Sequence, residues 1–235
     1  MEDLKRDMAI GRRMLASEFP WENLTTQFSA RVAAENAFLI AGPECPEGAL
    51  PADASKVGMD GRVIQQGNEP VVRAALHAAI YKARPDVGGI CFTSSPSHTA
   101  LASHTAPLAT YYQYGGIFYQ LCDRVALRHE LDTPEGIAEV VKALGSNRAI
   151  FIAGWGALNV SENLRYAYAE AECLMLSSTR QIKALRIGGA PMEHDVARSY
   201  QSNYLKPEVQ FRLQMWLAAE RRITAGAPEV FRAAA

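Results

Sequence analysis

The stretch HAAIYKARPDVGGICFTSSPSHTALAS, His77 to Ser103, decides the fold. Just before it, Pro70 offers a helix start, and Ala74, Ala75, Ala78 and Ala79 favour helix, so the pattern predicts a helix from Val71 to Ala83. Pro85 bars its continuation and biases Arg84 away from helical backbone. Val87 to Thr93 is a short apolar run of strand length. Pro96 follows a serine pair and reads as the start of a helical turn or two over Ser97 to Ser103. Helix, stop, buried strand and helix within so few residues belong to a layered α/β domain.

Working outward, Leu4, Met8, Ile10, Met14 and Leu15 carry helical spacing that ends near Phe19-Pro20. FSARVA and NAFLIA read as two strands joined near Ala34-Glu35-Asn36. Residues 42–62 are rich in Gly, Pro and Asp and are expected as loop, with a hairpin turn at Met59–Arg62 leading into Val63-Ile64. Downstream, Thr133-Pro134-Glu135 is a helix start, with Gly145 as its stop. Ala149 to Ala153 is a buried strand ending at Gly154-Trp155-Gly156. The longest helix is expected from Ser161 to Gly188-Gly189, and a last amphipathic helix from Pro207 to about Arg222. The domain expectation is one unit over 1–223 with a short flexible tail over 224–235.

The 235 residues include 49% apolar and 21% charged side chains, a composition that builds a core. With 24 basic against 25 acidic residues, the formal charge is −1, and no basic run exceeds Arg221-Arg222. Nucleic acid is not an expected partner. No apolar run reaches the roughly 18 residues of a membrane span, so no membrane partner is expected either. Cys45, Cys91, Cys122 and Cys173 lack metal-ligand or CxxC spacing and read as free thiols in a reducing compartment. The charged opening MEDLKRDMAIGRR lacks a signal-peptide core, and a cytoplasmic location is the expectation. No phosphate loop or dinucleotide-binding glycine pattern is present, so no cofactor is expected.

His77, Tyr81, the Arg84-Pro85-Asp86-Val87 run and the strand after it resemble the class II aldolase/adducin domain, whose members read close to H-x-x-x-Y-x-x-R-P-D-V, strand, H-x-H. TTQFSARVAAENAFLIAGP, MDGRVIQQGNEPVVRAALH and AIFIAGWGALNVSENLRYAYAEAECLMLSS also look like parts of that family, extending the resemblance from about Leu4 to Ile187. It implies an α/β, layered, class II aldolase-like domain with a central, mostly antiparallel sheet flanked by helices. In the family's sugar-phosphate enzymes, three histidines hold a divalent ion and an acid on the helix acts as base. Here Phe92, Ser94 and Trp155 match the ligand positions and Arg73 matches the acid. Phenylalanine has no donor atom, and the indole N–H donates without a lone pair to give. No metal is therefore expected. The phosphate-binding segment retains Ser29 and Gly42, but Val71-Val72 replaces a serine pair, which argues against a sugar phosphate.

What replaces that site has two readings at almost every position. Arg73 is a carboxylate clamp or a surface ion pair. His77, one turn later, is a base or a core histidine. Ser95 and His98 suggest a nucleophile pair but lack an acidic orienter. Tyr112 or Tyr114 matches the place from which, in the relatives, a neighbouring subunit donates a proton. Tyr119 joins them in an aromatic run that is a pocket wall or a subunit interface. With Phe92, Ser94 and Trp155 at the former metal positions, the pocket suits a flat aromatic or unsaturated acid. The function expected is a metal-independent lyase, decarboxylase, hydratase or isomerase acting on a small carboxylate. The alternatives are a non-catalytic scaffold resembling the adducin head, and a metal enzyme with relocated ligands such as His98, His104 and Cys91. A homotetramer is expected, because Tyr111–Tyr119 and the helix carrying Trp216 look like apolar faces in need of cover.

Overall fold

The computed structural model describes residues 1–18, 26–42 and 48–231. Strands β1 (Gln27–Val32), β2 (Ala37–Ala41), β3 (Ser55–Gly58), β4 (Val63–Gln65), β5 (Gly89–Thr93), β6 (Cys122–Val125), β7 (Ala149–Ile152) and β8 (Gly156–Ser161) form one sheet in the order β4-β3-β2-β1-β5-β8-β7-β6. Every pairing is antiparallel except β6 with β7. The mostly antiparallel, helix-flanked sheet expected from the sequence is the one observed.

Side chains alternate across a strand, and here the alternation sorts two cores. One face carries Phe38, Ile40, Ile90, Phe92, Ile150 and Leu158, and packs against α2 (Ala74–Ala83) and α4 (Pro134–Leu144). The other face meets α1 (Glu2–Glu18), α3 (Pro96–Ser103), α5 (Leu164–Arg186) and, after α6 (His194–Leu205), α7 (Phe211–Gly226). The periodic residues of α1 behave as their spacing demands, with Met8, Ile10, Met14 and Leu15 all buried. Thr133 caps α4 by accepting a hydrogen bond from the Gly136 amide at 3.1 Å.

A buried ionic cluster ties the second face together. Glu170 of α5 is fully buried and accepts from Arg148 at 2.5 Å and from Arg212 at 2.6 Å. Glu162 also reaches both arginines. Burial alone would raise the Glu162 carboxyl, but Arg148, Ser161 and Arg212 bring it down to about 2.

Several expectations are corrected. Strand β3 lies within the stretch read as loop, because its short SKVG sequence sits among turn residues. Strand β8 was not expected as a strand. It is buried on both faces, so it shows no alternation, and its polar Asn159 is satisfied by donating to the Ala167 carbonyl at 2.7 Å. Ser161 ends β8, and the cap of α5 is Asn163, which accepts from the Tyr166 amide at 2.9 Å. Helix α6 is polar and buries only Ala197, so it carries no apolar stripe to read. It is held by packing on the 3-10 segment Gln113–Phe118. The tail expected from residue 224 is helical and packed through Phe231: α7 reaches Gly226, α8 follows over Pro228–Phe231, and the Phe231 ring lies 5.3 Å beneath the Arg13 guanidinium.

Cys91 and Cys173 are buried free thiols and Cys122 is partly buried. The expectations at Phe19-Pro20 and Cys45 fall outside the described residues. Among the described residues no helix is long and apolar enough to cross a membrane.

Candidate active site

The site is built where the end of β5, the β7–β8 turn and the start of α2 meet. Phe92 pairs across the sheet with Gln27 of β1 and Leu158 of β8, and its ring is buried. Gly156 lets β8 begin against β5: its φ is 135°, and a Cβ there would stand 2.2 Å from the Thr93 carbonyl oxygen. The same turn holds Trp155, whose amide donates to the Ile152 carbonyl at 2.9 Å.

Helix α2 begins at Ala74 rather than Val71, and Arg73 is its N-cap in left-handed backbone, φ 53° and ψ 25°. For a residue with a Cβ that conformation costs about 1–2 kcal/mol. What holds it is visible at the other end of the side chain. The guanidinium carbon lies 4.7 Å from the Trp155 ring centroid and 5.8 Å from that of Phe92. Its Nε stands 3.3 Å from Asp132 Oδ1, within ion-pair distance but not aligned as a hydrogen bond. A guanidinium over a half-buried indole is worth about 0.5–2 kcal/mol, enough with the ion pair to offset the backbone cost.

His77 lies one turn into α2 and is fully buried. Its Nδ1 meets Ser29 Oγ at 2.6 Å, and Ser29 Oγ meets the Tyr81 hydroxyl at 2.9 Å. Burial, with the Arg73 charge adding to it, lowers the imidazole to about 3, so His77 is neutral near pH 7. Its Nε2 has no hydrogen-bond partner, and the same holds for Oε1 of Gln27. Gln27 Nε2 donates to the carbonyl of Val72, the residue before Arg73. Sequence reading did not single out Gln27. Its register opposite Phe92 is the signal, and that appears only once the strands are paired.

Beside Trp155 lies a cavity of about 580 Å³ lined by residues 126–132, Ala153 and Trp155. Asp132 belongs to this wall and also to the Arg73 ion pair, so cavity and guanidinium are contiguous. His129 is in the same wall, its Nδ1 2.6 Å from Glu139 Oε1 on α4. The other Glu139 oxygen accepts from the Arg128 amide at 2.9 Å. These hydrogen bonds, the Arg128 amide first, hold the Glu139 carboxyl below the usual carboxylate range. Sequence spacing does not single out His129, because its orienting acid lies ten residues away on a different element.

The fold brings Ser29, Arg73, His77, Phe92 and Trp155 to one face of the sheet, with Ser94 at the end of β5 against Gly156. It does not bring the other candidates there within one chain. His98 is buried beneath the opposite face, its ring 6.0 Å from Phe151 and its Nδ1 2.7 Å from Thr93 Oγ1. Burial lowers it also to about 3. Ser95 is the N-cap of α3, accepting from the His98 amide, so it and His98 form a helix start rather than a nucleophile pair. Tyr114 packs between Tyr112, Tyr204 and Phe211. Arg180 covers Tyr112 with its guanidinium carbon 3.8 Å from the ring centroid, and Tyr119 bonds His194.

The aromatic faces expected to need a neighbour are largely covered from within. Helices α6 and α7 cap Tyr114, and Trp216 is fully buried against Tyr168. Exposed large apolar residues lie elsewhere, among them Val63 and Ile64 on the edge strand β4, Leu185 and Ile187 at the end of α5, and Val196 on α6.

A divalent ion does not fit the donor set. Phe92, Ser94 and Trp155 supply one hydroxyl and no imidazole or carboxylate, where such an ion takes about three protein ligands. The Arg73 charge already stands over two of them. His98, His104 and Cys91 do not assemble into a substitute: among the described residues no three His, Cys, Asp or Glu side chains form a metal-holding group.

The mixed sheet, with its cleft at the β5, β7–β8 and α2 junction, defines an α/β domain of the class II aldolase kind. The sequence model of the Class II Aldolase and Adducin N-terminal domain matches residues 7–182, and the chain belongs to that family. L-fuculose 1-phosphate aldolase from Glaciozyma antarctica PI12 superposes with a TM-score of 0.84 at 24% identity, covering 99% of this chain and 92% of that one. An aldolase II superfamily protein from Pseudomonas syringae also reaches 0.84, at 18% identity, covering 97% of this chain and 95% of that one. Likeness at such identities carries the fold alone. In sequence, the chain is 32% identical over 96 residues to a methylthioribulose-1-phosphate dehydratase of Gluconacetobacter diazotrophicus, a match covering 40% of this chain and 46% of the relative. The chain thus matches about half the length of that curated relative.

Proposed function

We propose that this chain is a lyase-type enzyme that binds a small aromatic or unsaturated carboxylate at the Arg73–Trp155 cleft and acts on it without a divalent ion. Decarboxylation, hydration or dehydration, and isomerisation are the reactions within reach of such a site. The single observation that carries this reading is the Arg73 guanidinium stacked on Trp155 and next to Phe92, with Asp132 as its present counter-ion. In the metal enzymes of the family a bound cation faces the substrate oxygens. Here a fixed guanidinium supplies positive charge, and its fork matches a carboxylate.

Asp132 is more than half exposed, so a ligand carboxylate entering from the cavity competes with a solvated partner rather than a buried one. The aromatic walls favour a flat ligand by stacking, and the largely buried Arg73 side chain strengthens an ion pair made there. A sugar phosphate is disfavoured, since Val71 and Val72 present no hydroxyl at the phosphate-binding positions. The dehydratase name of the curated relatives supports elimination chemistry, but the match spans too little of them to carry their substrate.

We further propose a homotetramer in which Tyr112, only half-buried at the edge of the aromatic cluster that holds Tyr114, reaches a neighbour's cleft as general acid. The test of the core reading is binding of benzoate and cinnamate, against their amides, by wild type and Arg73 variants. Equal affinity for acid and amide would overturn it.

A further inference from the structure

We infer that His129, oriented by Glu139, is the catalytic residue that carries a proton to and from the ligand in the cavity beside Trp155. The inference rests on the reading of this cleft as a carboxylate-binding lyase site and adds to it the acid–base group.

Three observations carry it. First, His129 shares the wall of the 580 Å³ cavity with Asp132 and Trp155, two of the residues that contact Arg73. Second, its Nδ1 is taken by Glu139 at 2.6 Å, which selects the tautomer and leaves Nε2 for a ligand. The orienting carboxylate is itself fixed, by the Arg128 amide on one oxygen and by the backbone of α4, whose start is capped by Thr133. A base oriented by a third group is the arrangement proton transfer requires. Third, His129 is the one histidine in the lining of this cavity. His77 and His98 are buried, each with its Nδ1 bonded to a hydroxyl. His194 bonds Tyr119, and His104 accepts the Ala106 amide.

For a 2-oxo acid such as phenylpyruvate the step balances as follows. Arg73 holds the carboxylate. His129 Nε2 takes a proton from C3, and the C–H electron pair moves into the C2–C3 bond while the carbonyl oxygen becomes an enolate. The imidazolium then returns a proton to C3, or a deuteron if it has exchanged with D2O. No oxidant or co-reactant is needed.

Exchange of the C3 protons of phenylpyruvate in D2O, followed by proton NMR, tests this directly. Wild type is expected to accelerate exchange over a protein-free control. His129→Gln should lose on the order of 100-fold or more in rate while binding phenylpyruvate as wild type does. Glu139→Gln, a change at a positioning residue, should lower the maximal rate without weakening binding. It should also shift the His129 ¹⁵N resonances away from the Nδ1–H tautomer. Exchange at the wild-type rate by His129→Gln, or no acceleration by a wild type that binds phenylpyruvate, overturns the inference and leaves the carboxylate cleft standing. Loss of discrimination between wild type and Arg73→Ala in binding sinks the cleft reading instead.

Discussion

The Arg73 guanidinium carbon lies 4.7 Å from the centroid of the Trp155 ring, and the backbone of Arg73 takes a left-handed conformation to put it there. A cation and an aromatic wall thus occupy the positions that the family resemblance matches to an acid and a metal ligand.

Arg73→Ala should weaken binding of benzoate or cinnamate about 30- to 1,000-fold, the value of a partly desolvated bidentate contact of about 2–4 kcal/mol. Arg73→Lys keeps the charge without the fork and should recover only part of the loss. Arg73→Gly, which suits the left-handed backbone, serves as the folding control. Calorimetry that finds wild-type affinity in all three variants removes Arg73 from the site.

Grafting donors back tests the electrostatic argument. With Phe92→His, Ser94→His and Trp155→His together, zinc should bind poorly while Arg73 remains, and tightly once Arg73→Glu is added. Elemental analysis after dialysis gives the stoichiometry. Tight one-to-one zinc in the triple variant with Arg73 intact contradicts the account.

Acid should destabilise the protein before its carboxylates titrate. His77 and His98 are held to about 3 in the fold against an ordinary 6.5. Between those values the unfolded chain holds protons that the folded chain refuses, so stability falls as pH drops through that window. At about 1.4 kcal/mol per pH unit for each imidazole, going from pH 7 to 5 costs about 4 kcal/mol. Urea midpoints across this range measure it, and His77→Gln should flatten the slope. A midpoint that does not move between pH 7 and 5 refutes the buried neutral assignment.

Glu170→Gln leaves Arg148 and Arg212 without their buried carboxylate and should cost about 3–5 kcal/mol of stability. Chemical denaturation showing less than about 1 kcal/mol would mean Glu162 alone suffices for both arginines.

Light scattering at micromolar concentration should give four times the chain mass of 25.7 kDa. A monomer mass refutes the tetramer, and with it a tyrosine donated from a neighbouring subunit.

Much of the fold was legible locally. Thr133-Pro134 and Gly145 bracket α4, and Pro85 ends α2, because caps and prolines act on their own backbone. The central strand β8 was not legible: its residues are buried on both sides, and GALNVS carries no period. Nor was α6, which depends on the Gln113–Phe118 segment for its packing.

The candidate site divides in the same way. From the sequence alone come the family, the donor-poor set Phe92, Ser94 and Trp155, and the singling out of Arg73, because each follows from residue type at a matched position. Tertiary structure alone decides that Arg73 points at Trp155, since that depends on a left-handed cap rather than the helical position the alanines suggested. It alone separates His98 from His77, since α3 and α2, which carry them, pack on opposite faces of the sheet. And it alone joins His129 to Glu139 and Gln27 to Phe92, because hydrogen bonds and strand registers form between residues that chain folding, not sequence spacing, makes neighbours.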